Sequence, residues 1–327
     1  MVLETSEILR DRYKIKQFIS RGGMGSIYLA DDLRLEGRQC AVKEVRLDIS
    51  LTKETLRQTR EQFQREATVL ARLDHPNLPK VSDFFSEEQS DFLVMDYVPG
   101  EDLRTLMVAA RQKEKFLSEK DVMSWAAQIA DALIYLHKQD PPILHRDIKP
   151  SNLKLTPNGV VKLVDFGLVK VLAAQEATLT IVQGRGTALY TPLEQYGGDT
   201  GHTDVRSDIY ALGATLYHLL SNTAPIEARE RFLEPDEMTK LSDLNPEISP
   251  RTERAVMWAL SLHPEERPQS VEDFQSALLG EWEPSMRTRN HLPRPSFSDV
   301  LTSPTERKLL WTAASLFLIS LIASISR

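Results

Sequence analysis

A polar run, His145 to Asn152, concentrates side chains that suit phosphoryl transfer. It holds an acid, a lysine and an amide in fixed order, Asp147, Lys149 and Asn152, and a second acid, Asp165, follows 18 residues after the first. Magnesium needs oxygen ligands such as these, and a hydroxyl that attacks a phosphate needs a carboxylate to orient it. The residue types and their spacing therefore predict phosphoryl transfer in a cleft, with the lysine balancing phosphate charge.

A glycine-rich turn near the N-terminus is a candidate phosphate-binding loop. Gly22, Gly23 and Gly25 lie between two strand-like runs, and glycine lets backbone N–H groups approach phosphate oxygens without a Cβ in the way. An ordinary hairpin uses glycine as well, so the turn alone does not decide between the two. Lys43 on the next strand-like run and Glu66 on the helix after it add an ammonium and a carboxylate that can hold it.

Short β-branched or alternating runs dominate the first hundred residues and predict an antiparallel sheet. One helix interrupts them, and the chain from Glu119 onward has mainly helical periodicity. The expected fold class is α+β: a small sheet lobe, a larger helical lobe, and a ligand cleft between them. The predicted strands are 13–20, 26–30, 39–46, 80–86, 91–96, 153–155 and 160–164, and the main predicted helices are 53–73, 122–138 and 209–221.

Composition narrows the class of protein further. The 327 residues carry 40 basic and 47 acidic side chains, a net charge of −7, which argues against nucleic acid as the partner because phosphate backbones require a basic surface. The single cysteine, Cys40, excludes an intramolecular disulfide and a thiolate zinc site of its own. A reducing, cytosolic compartment is expected for the folded part.

Taken in order, these motifs resemble the protein kinase superfamily, most closely the eukaryotic-like Ser/Thr protein kinases of bacteria, over Tyr13 to Leu279. The resemblance implies a bilobal kinase that transfers the γ-phosphoryl group of ATP, with Mg²⁺ or alternatively Mn²⁺, to protein Ser or Thr. The implied catalytic and metal residues are Asp147 as base, Lys149 and Lys43 on phosphates, Glu66 paired with Lys43, and Asn152 and Asp165 on the metal. The implied ATP site comprises Ile19, Gly22, Gly23, Gly25, Ile27, Ala41, Lys43, the gatekeeper Met95, the hinge residues Asp96 and Val98, and Asp102 at the ribose.

The resemblance extends to the segment between Asp165 and Glu194. It implies that Thr187 lies in the substrate pocket beside Asp147 and Lys149, and that Glu194 pairs with Arg267. Asp208 is the implied anchor of the catalytic loop. We further expect autophosphorylation at Thr178 or Thr180, because an added phosphate can pair with an arginine such as Arg146.

Three positions depart from the family pattern. Ser20 occupies the first glycine position of the phosphate loop, and Lys154 stands where an apolar side chain usually forms the floor under adenine. Pro192-Leu193-Glu194 replaces the usual Ala-Pro-Glu. Two alternatives to an active protein kinase stay open: an inactive kinase that binds nucleotide and scaffolds partners at a membrane, and a small-molecule kinase of related fold. The presence of Lys43, Asp147, Asn152 and Asp165 argues against the first.

The C-terminal part predicts a membrane anchor. Residues 309–326 form an uncharged run of 18 residues, about 27 Å as a helix at roughly 1.5 Å per residue, which nearly spans a hydrocarbon core of about 30 Å. A docked terminal helix is the alternative. Basic residues precede the run, so the positive-inside rule predicts a single-pass tail anchor with the kinase domain in the cytoplasm, where confinement favours phosphorylation of one copy by another. The predicted segments are an N-terminal extension (1–12), a kinase domain (13–280, lobes 13–97 and 98–280), a Pro/Ser/Thr-rich linker (281–308) and the span (309–326).

Overall fold

The computed structural model describes residues 3–22, 25–46, 52–87, 89–165, 185–196, 203–234 and 238–280. All of these ranges fall within the first of the two units into which the chain divides, Met1–Trp282. The predicted linker 281–308 and the predicted span 309–326 lie outside the described residues and stay predictions. No helix in the described ranges is both long enough and apolar enough to cross a bilayer.

A six-stranded antiparallel sheet fills the N-terminal part, with the strand order β1-β2-β3-β4-β6-β5. Along β3 every second residue is buried, as the two-residue period of a strand requires. Tyr28 and Ala30 thus enter a core on one face, whereas Ile27 faces the other, less buried side. The strands are β1 (Ile8–Leu9), β2 (Tyr13–Gly22), β3 (Gly25–Asp32), β4 (Gln39–Arg46), β5 (Val81–Glu87) and β6 (Ser90–Asp96).

Strand β1 was not predicted. Leu9 pairs with Tyr13 of β2 and is 4% exposed in the small core on that face of the sheet. The N-terminal residues are therefore part of the sheet's packing rather than only an extension. A strand of two residues is too short to show an alternating pattern, so the sequence carries no signal for it.

Helix α1 (Lys53–Ala71) begins where the Thr52 hydroxyl accepts a hydrogen bond from the Thr55 amide at 3.2 Å, a standard N-cap. Its apolar side, including Phe63 and Ala67, is buried in the larger core, and the helix packs against β5 and β6. This packing fixes the position of Glu66 relative to the sheet.

Helices dominate the second part, as predicted. A second small sheet joins β7 (Glu101–Asp102), β8 (Leu153–Leu155) and β9 (Val161–Leu163). The longest runs are α3 and α5, and α5 is buried along almost its whole length because it packs against α3, α8 and α9. The α+β class is confirmed. The helices are α2 (Leu103–Arg111), α3 (Glu119–His137), α4 (Arg185–Ala188), α5 (Val205–Ser221), α6 (Ala228–Leu233), α7 (Leu241–Leu244), α8 (Pro250–Ala259) and α9 (Val271–Leu279).

Candidate active site

A buried carboxylate holds the loop that carries the predicted catalytic base. Asp208, on α5, is 0% exposed and accepts hydrogen bonds from the backbone N–H of His145 at 2.9 Å and of Arg146 at 2.8 Å. The ring of His137 adds a contact to Oδ2 at 2.9 Å. Burial alone would raise the pKa of Asp208, but the His137 hydrogen bond and the backbone donors outweigh it, so the pKa lies below its ordinary value. The carboxylate is thus charged and able to hold the loop.

The catalytic loop closes on itself around Asp147. The Lys149 ammonium donates to both carboxylate oxygens, at 3.1 and 2.9 Å, and to the Thr187 hydroxyl at 3.1 Å. The Asn152 amide donates to Asp147 Oδ2 at 2.9 Å and to the Asp147 carbonyl at 2.8 Å. These contacts bring together the four residues that were predicted to share one site: Asp147, Lys149, Asn152 and Thr187.

Asp165 joins this cluster to the sheet. The backbone N–H of Val164 donates to the Asn152 carbonyl at 2.9 Å, and the Asp165 carboxylate forms a hydrogen-bonded ion pair with Lys43 of β4. Burial would raise the pKa of Asp165, but the Lys43 ammonium, assisted by Lys149, holds it below its ordinary value. Asp165 has φ of 64°, a left-handed backbone that is uncommon outside glycine.

The expected ion pair between Lys43 and Glu66 is not formed among the described residues, because Lys43 is engaged by Asp165. Glu66 Oε1 instead accepts a hydrogen bond from Gln62 at 2.8 Å, and Oε2 has no hydrogen-bond partner. Burial raises the pKa of Glu66 to about 7, which the Gln62 hydrogen bond and the positive charge of Arg146 offset only in part. The carboxylate lines a cavity of about 620 Å³ between α1 and the segment that precedes the catalytic loop.

Four of the predicted ATP-site residues lie on one face of the sheet. Ile27 is the cross-strand partner of Lys43, and Ala41 is the partner of Met95, so these four side chains point to the same side. Gly25 needs the absence of a side chain, because a Cβ there would lie 1.8 Å from the Glu44 carbonyl oxygen.

The remaining predicted ATP residues are less uniform. Ile19 falls in a bulge of β2 and is 39% exposed, and Asp102 is occupied as the N-cap of α2, accepting from the Thr105 amide at 2.9 Å. The Lys154 ammonium lies 5.9 Å from the centre of the Tyr97 ring, over which it forms a cation–π contact. Gly22 pairs with Gly25 across the hairpin, Asp96 is exposed and Val98 is buried, and Gly23 lies outside the described residues.

Arg267 and Glu194 form a second buried ion pair, as the resemblance implied. Arg267 is 1% exposed and donates to the two oxygens of Glu194 at 2.7 and 3.0 Å. It also donates to three backbone carbonyls and lies 4.9 Å over the ring of Tyr210. The sequence did not predict two further hydrogen bonds. Ser207 donates to Glu194, and His137 contacts Asp208. Neither Ser207 nor His137 belongs to a recognisable motif. Thr178 and Thr180 lie outside the described residues.

The cluster fits a divalent metal with nucleotide. Both amide N–H groups of Asn152 that the structure pairs go to Asp147, which leaves its side-chain oxygen as a metal ligand, and Asp165 supplies a charged oxygen. No group of three or more His, Cys, Asp or Glu side chains is placed to hold a metal ion within the described ranges. Mg²⁺ commonly takes one or two protein oxygens and completes its shell with phosphate and water, so this donor set suits it.

Lys43 on the sheet, with Asp147, Asn152 and Asp165 beside it, forms an arrangement that suits phosphoryl transfer. A family model described as "Protein kinase domain" matches residues 13–283. The chain belongs to the protein kinase family, and its relatives are eukaryotic-like Ser/Thr kinases of bacteria, which confirms the sequence-based recognition.

Two curated relatives illustrate the similarity. The chain is 36% identical over 284 residues to the probable serine/threonine-protein kinase SCO3848 of Streptomyces coelicolor, covering 84% of this chain and 40% of the relative. It is 32% identical over 273 residues to the serine/threonine-protein kinase PrkC of Bacillus subtilis, covering 82% and 40%. The chain thus spans about 40% of the length of these relatives.

Solved kinase structures confirm the bilobal protein kinase fold. The structure described as PpkA-294 in its apo form has a TM-score of 0.70 at 28% identity, and the match covers 85% of this chain and 99% of that one. The PknI kinase domain of Mycobacterium tuberculosis has a TM-score of 0.65 at 28% identity, with 86% and 100% coverage.

Replacement of Arg267 by alanine tests the Glu194 ion pair. The change removes the cationic partner of a buried carboxylate, which keeps only the Ser207 hydroxyl, and a donor to three backbone carbonyls. We therefore expect the free energy of unfolding to fall by about 3–5 kcal/mol and the yield of soluble protein to fall with it. Arg254→Ala, at an exposed position of α8, is the control and is expected to change stability by less than about 0.5 kcal/mol. A soluble Arg267→Ala protein with an unchanged melting temperature would contradict this reading.

The position of Glu66 has a pH signature. Its pKa is raised from the model-compound value of 4.5 to about 7, so the folded protein binds this proton more tightly than the unfolded chain does. Its contribution to stability is therefore present at low pH and is lost as the pH rises through about 7. In Glu66→Gln, which keeps the oxygen that Gln62 donates to, we expect the melting temperature to decline less than in the wild type between pH 5 and pH 8.

The control for the Glu66 experiment is Glu61→Gln on the same helix. Glu61 lies at the surface, where it forms ion pairs with Arg57 and Arg65, so this variant accounts for the loss of a carboxylate from α1. Equal pH dependence of the melting temperature in the wild type and in Glu66→Gln would show that Glu66 does not titrate in this range.

Proposed function

We propose that this chain is an active protein kinase that transfers the γ-phosphoryl group of Mg-ATP to Ser or Thr hydroxyls of proteins. One observation carries the proposal, a path of contacts from Lys43 to Thr187. Lys43 pairs with Asp165, and the N–H of the adjacent Val164 donates to the Asn152 carbonyl. The Asn152 amide donates to Asp147, and Lys149 donates to Asp147 and to Thr187. Each group that phosphoryl transfer requires is present on this path. The names of the relatives, all Ser/Thr protein kinases, support the same activity.

In this proposal Asp147 orients the acceptor hydroxyl and accepts its proton. Its carboxylate is held from two sides by Lys149 and Asn152, so its direction is fixed before a substrate binds. Lys149 also faces the Thr187 hydroxyl and supplies positive charge next to the transferring group. Asn152 and Asp165 would hold a bound Mg²⁺, which would neutralise charge on the phosphates.

Lys43 has a second role to perform once nucleotide is bound. Its ammonium lies among the side chains that line the predicted ATP face, opposite Ile27, where it can reach phosphate oxygens. Asp165 is also a proposed metal ligand, so Lys43 would pair with phosphate oxygens and Asp165 with the metal ion when Mg-ATP is bound. The ion pair therefore does not argue for an inactive protein.

The test compares the 327-residue chain with Asp147→Asn in a transfer assay with γ-labelled ATP and Mg²⁺. We expect label on Ser and Thr of a generic protein substrate, and a rate lower by about 100-fold or more in the variant, which keeps the shape of the side chain but removes the base. Asp243→Asn, the same change at an exposed position of α7, is the matched control. Removal of the metal by a chelator is expected to stop transfer, and Mg²⁺ or Mn²⁺ to restore it.

Two outcomes of this assay would redirect the proposal. If neither protein transfers label although nucleotide binds, the chain is a nucleotide-binding scaffold. If only small molecules accept label, it is a small-molecule kinase. We also propose autophosphorylation at Thr178 or Thr180, and mapping of the labelled residues in the same assay tests it. A rate per molecule that rises with protein concentration supports transfer from one copy to another.

We propose further that residues 309–326 anchor the chain in a membrane, with residues 1–308 on the cytoplasmic side. The support is the uncharged run itself and the basic residues that precede it, Arg287, Arg289, Arg294, Arg307 and Lys308.

Liposome flotation after a carbonate wash tests the anchor. We expect the full chain to float with the lipid and Leu318→Arg, at the centre of the run, to be released, because an arginine there costs about 2.5–3.5 kcal/mol. Leu301→Arg, in the predicted linker, is the matched control and is expected to float. Release of the wild-type chain by carbonate would support a docked helix instead.

A further inference from the structure

Next to the catalytic cluster lies a hydrogen-bonded pair that the proposed chemistry does not use. The Tyr190 hydroxyl is 2.6 Å from Nδ1 of His218, and the two rings stack with centroids 6.0 Å apart. The Tyr190 backbone N–H donates to the Thr187 carbonyl at 3.0 Å, and the Thr187 side chain contacts Lys149. The pair is therefore bonded to Thr187, whose side chain contacts the lysine that holds Asp147.

Helix α2 carries two arginines, Arg104 and Arg111, whose positive charges lower pKa values in this pair. Leu103 and Met107 of α2 are buried, so Arg104 and Arg111, seven residues apart, share the exposed side of the helix. The helix packs against α5, which carries His218, and against Pro150–Asn152 of the catalytic loop. Burial, followed by the positive charges of both arginines, lowers the pKa of His218 to about 4.

The pair itself is neutral at physiological pH. Burial raises the pKa of Tyr190 to about 12, which the charge of Arg104 only partly opposes, so the hydroxyl keeps its proton and the imidazole does not gain one. Helix α2 has no Asp or Glu between Leu103 and Arg111, so the charges that the helix itself presents beside the pair are the two guanidinium groups.

We propose that Arg104 and Arg111 form an anion-selecting subsite, so that preferred substrates carry an anionic side chain, carboxylate or phosphate, within about four residues of the phosphorylated Ser or Thr. Four residues of extended peptide span about 13 Å, at roughly 3.3 Å per residue. The inference rests on the proposed kinase activity and adds a substrate class to it.

The chemistry of the subsite explains both what it accepts and what it rejects. Guanidinium groups bind carboxylate and phosphate oxygens through paired N–H donors, with a geometry that lysine does not offer. A basic substrate residue would be repelled by the two guanidinium groups, and the neutral Tyr190–His218 pair offers no negative charge to offset that repulsion. Such a residue is therefore disfavoured. Because both arginines are exposed, the selection is screened by salt.

The experiment uses the 327-residue chain and a series of neutral Ser peptides. Each peptide carries a single Glu, phosphoserine or Arg at one position from four residues before to four residues after the acceptor, and kcat/KM is compared with that of the neutral parent. We expect a preference of about threefold to tenfold for Glu at one or more positions, the range that two exposed ion pairs provide. A larger preference for phosphoserine would identify a previously phosphorylated protein as the substrate; one no larger than for Glu would identify an acidic sequence. Both outcomes support the subsite.

The double variant Arg104→Gln/Arg111→Gln assigns the preference to these residues. We expect its ratio of Glu peptide to neutral peptide to fall towards one, and Arg104→Glu/Arg111→Glu to favour the Arg peptide. Arg254→Gln, exposed on α8, is the control for loss of a positive charge and keeps the wild-type ratio. A melting temperature for each variant checks that the fold is retained.

Failure of this inference is separable from failure of the proposed function. Phosphorylation of all peptides at equal rates, or a Glu preference that survives in the double variant, would overturn the subsite and leave the kinase activity standing. Absence of transfer to any protein or peptide by the wild-type chain would overturn both.

Discussion

The buried carboxylate of Asp208 is the interaction on which the site depends. It is fully buried on a helix that is itself at the centre of the helical part, so its position is set by packing on every side. Its two backbone donors belong to the residues just before Asp147. Because an unpaired carboxylate in that position would cost several kcal/mol, the loop and the helix core determine each other.

This anchoring also accounts for the backbone of the loop. Arg146 has φ of 62°, a left-handed conformation that side chains other than glycine rarely adopt. The hydrogen bond from its own N–H to Asp208 supplies the compensation on the spot. Strain of this kind persists where the surrounding structure over-determines it, which is typical of residues that must aim a neighbouring group. Here the neighbour is Asp147.

Local patterns in the sequence predicted the elements well and the pairing of charges less well. Strands Gln39–Arg46 and Leu153–Leu155 have the predicted bounds, because alternation and β-branching act over a few residues. The partner of Lys43 depends instead on tertiary packing, which places Asp165 against Lys43 and leaves Glu66 bonded to Gln62. No local pattern encodes that packing. Family resemblance named Glu66, whereas the structure pairs Lys43 with Asp165. The Tyr190–His218 contact joins residues 28 apart in sequence and had no motif to reveal it.

The N-terminal strand β1 covers one edge of the large sheet. The amide and carbonyl of Ile15 in β2 are both bonded to the preceding chain, at Glu7 and Ser6, so residues 3–12 cover the start of what would otherwise be an open sheet edge. Unpaired edges invite pairing with a second chain and aggregation. A fragment trimmed at Tyr13, where the family match begins, would expose that edge and uncover Leu9's apolar neighbours. The first dozen residues thus shield this side of the sheet from pairing with another chain.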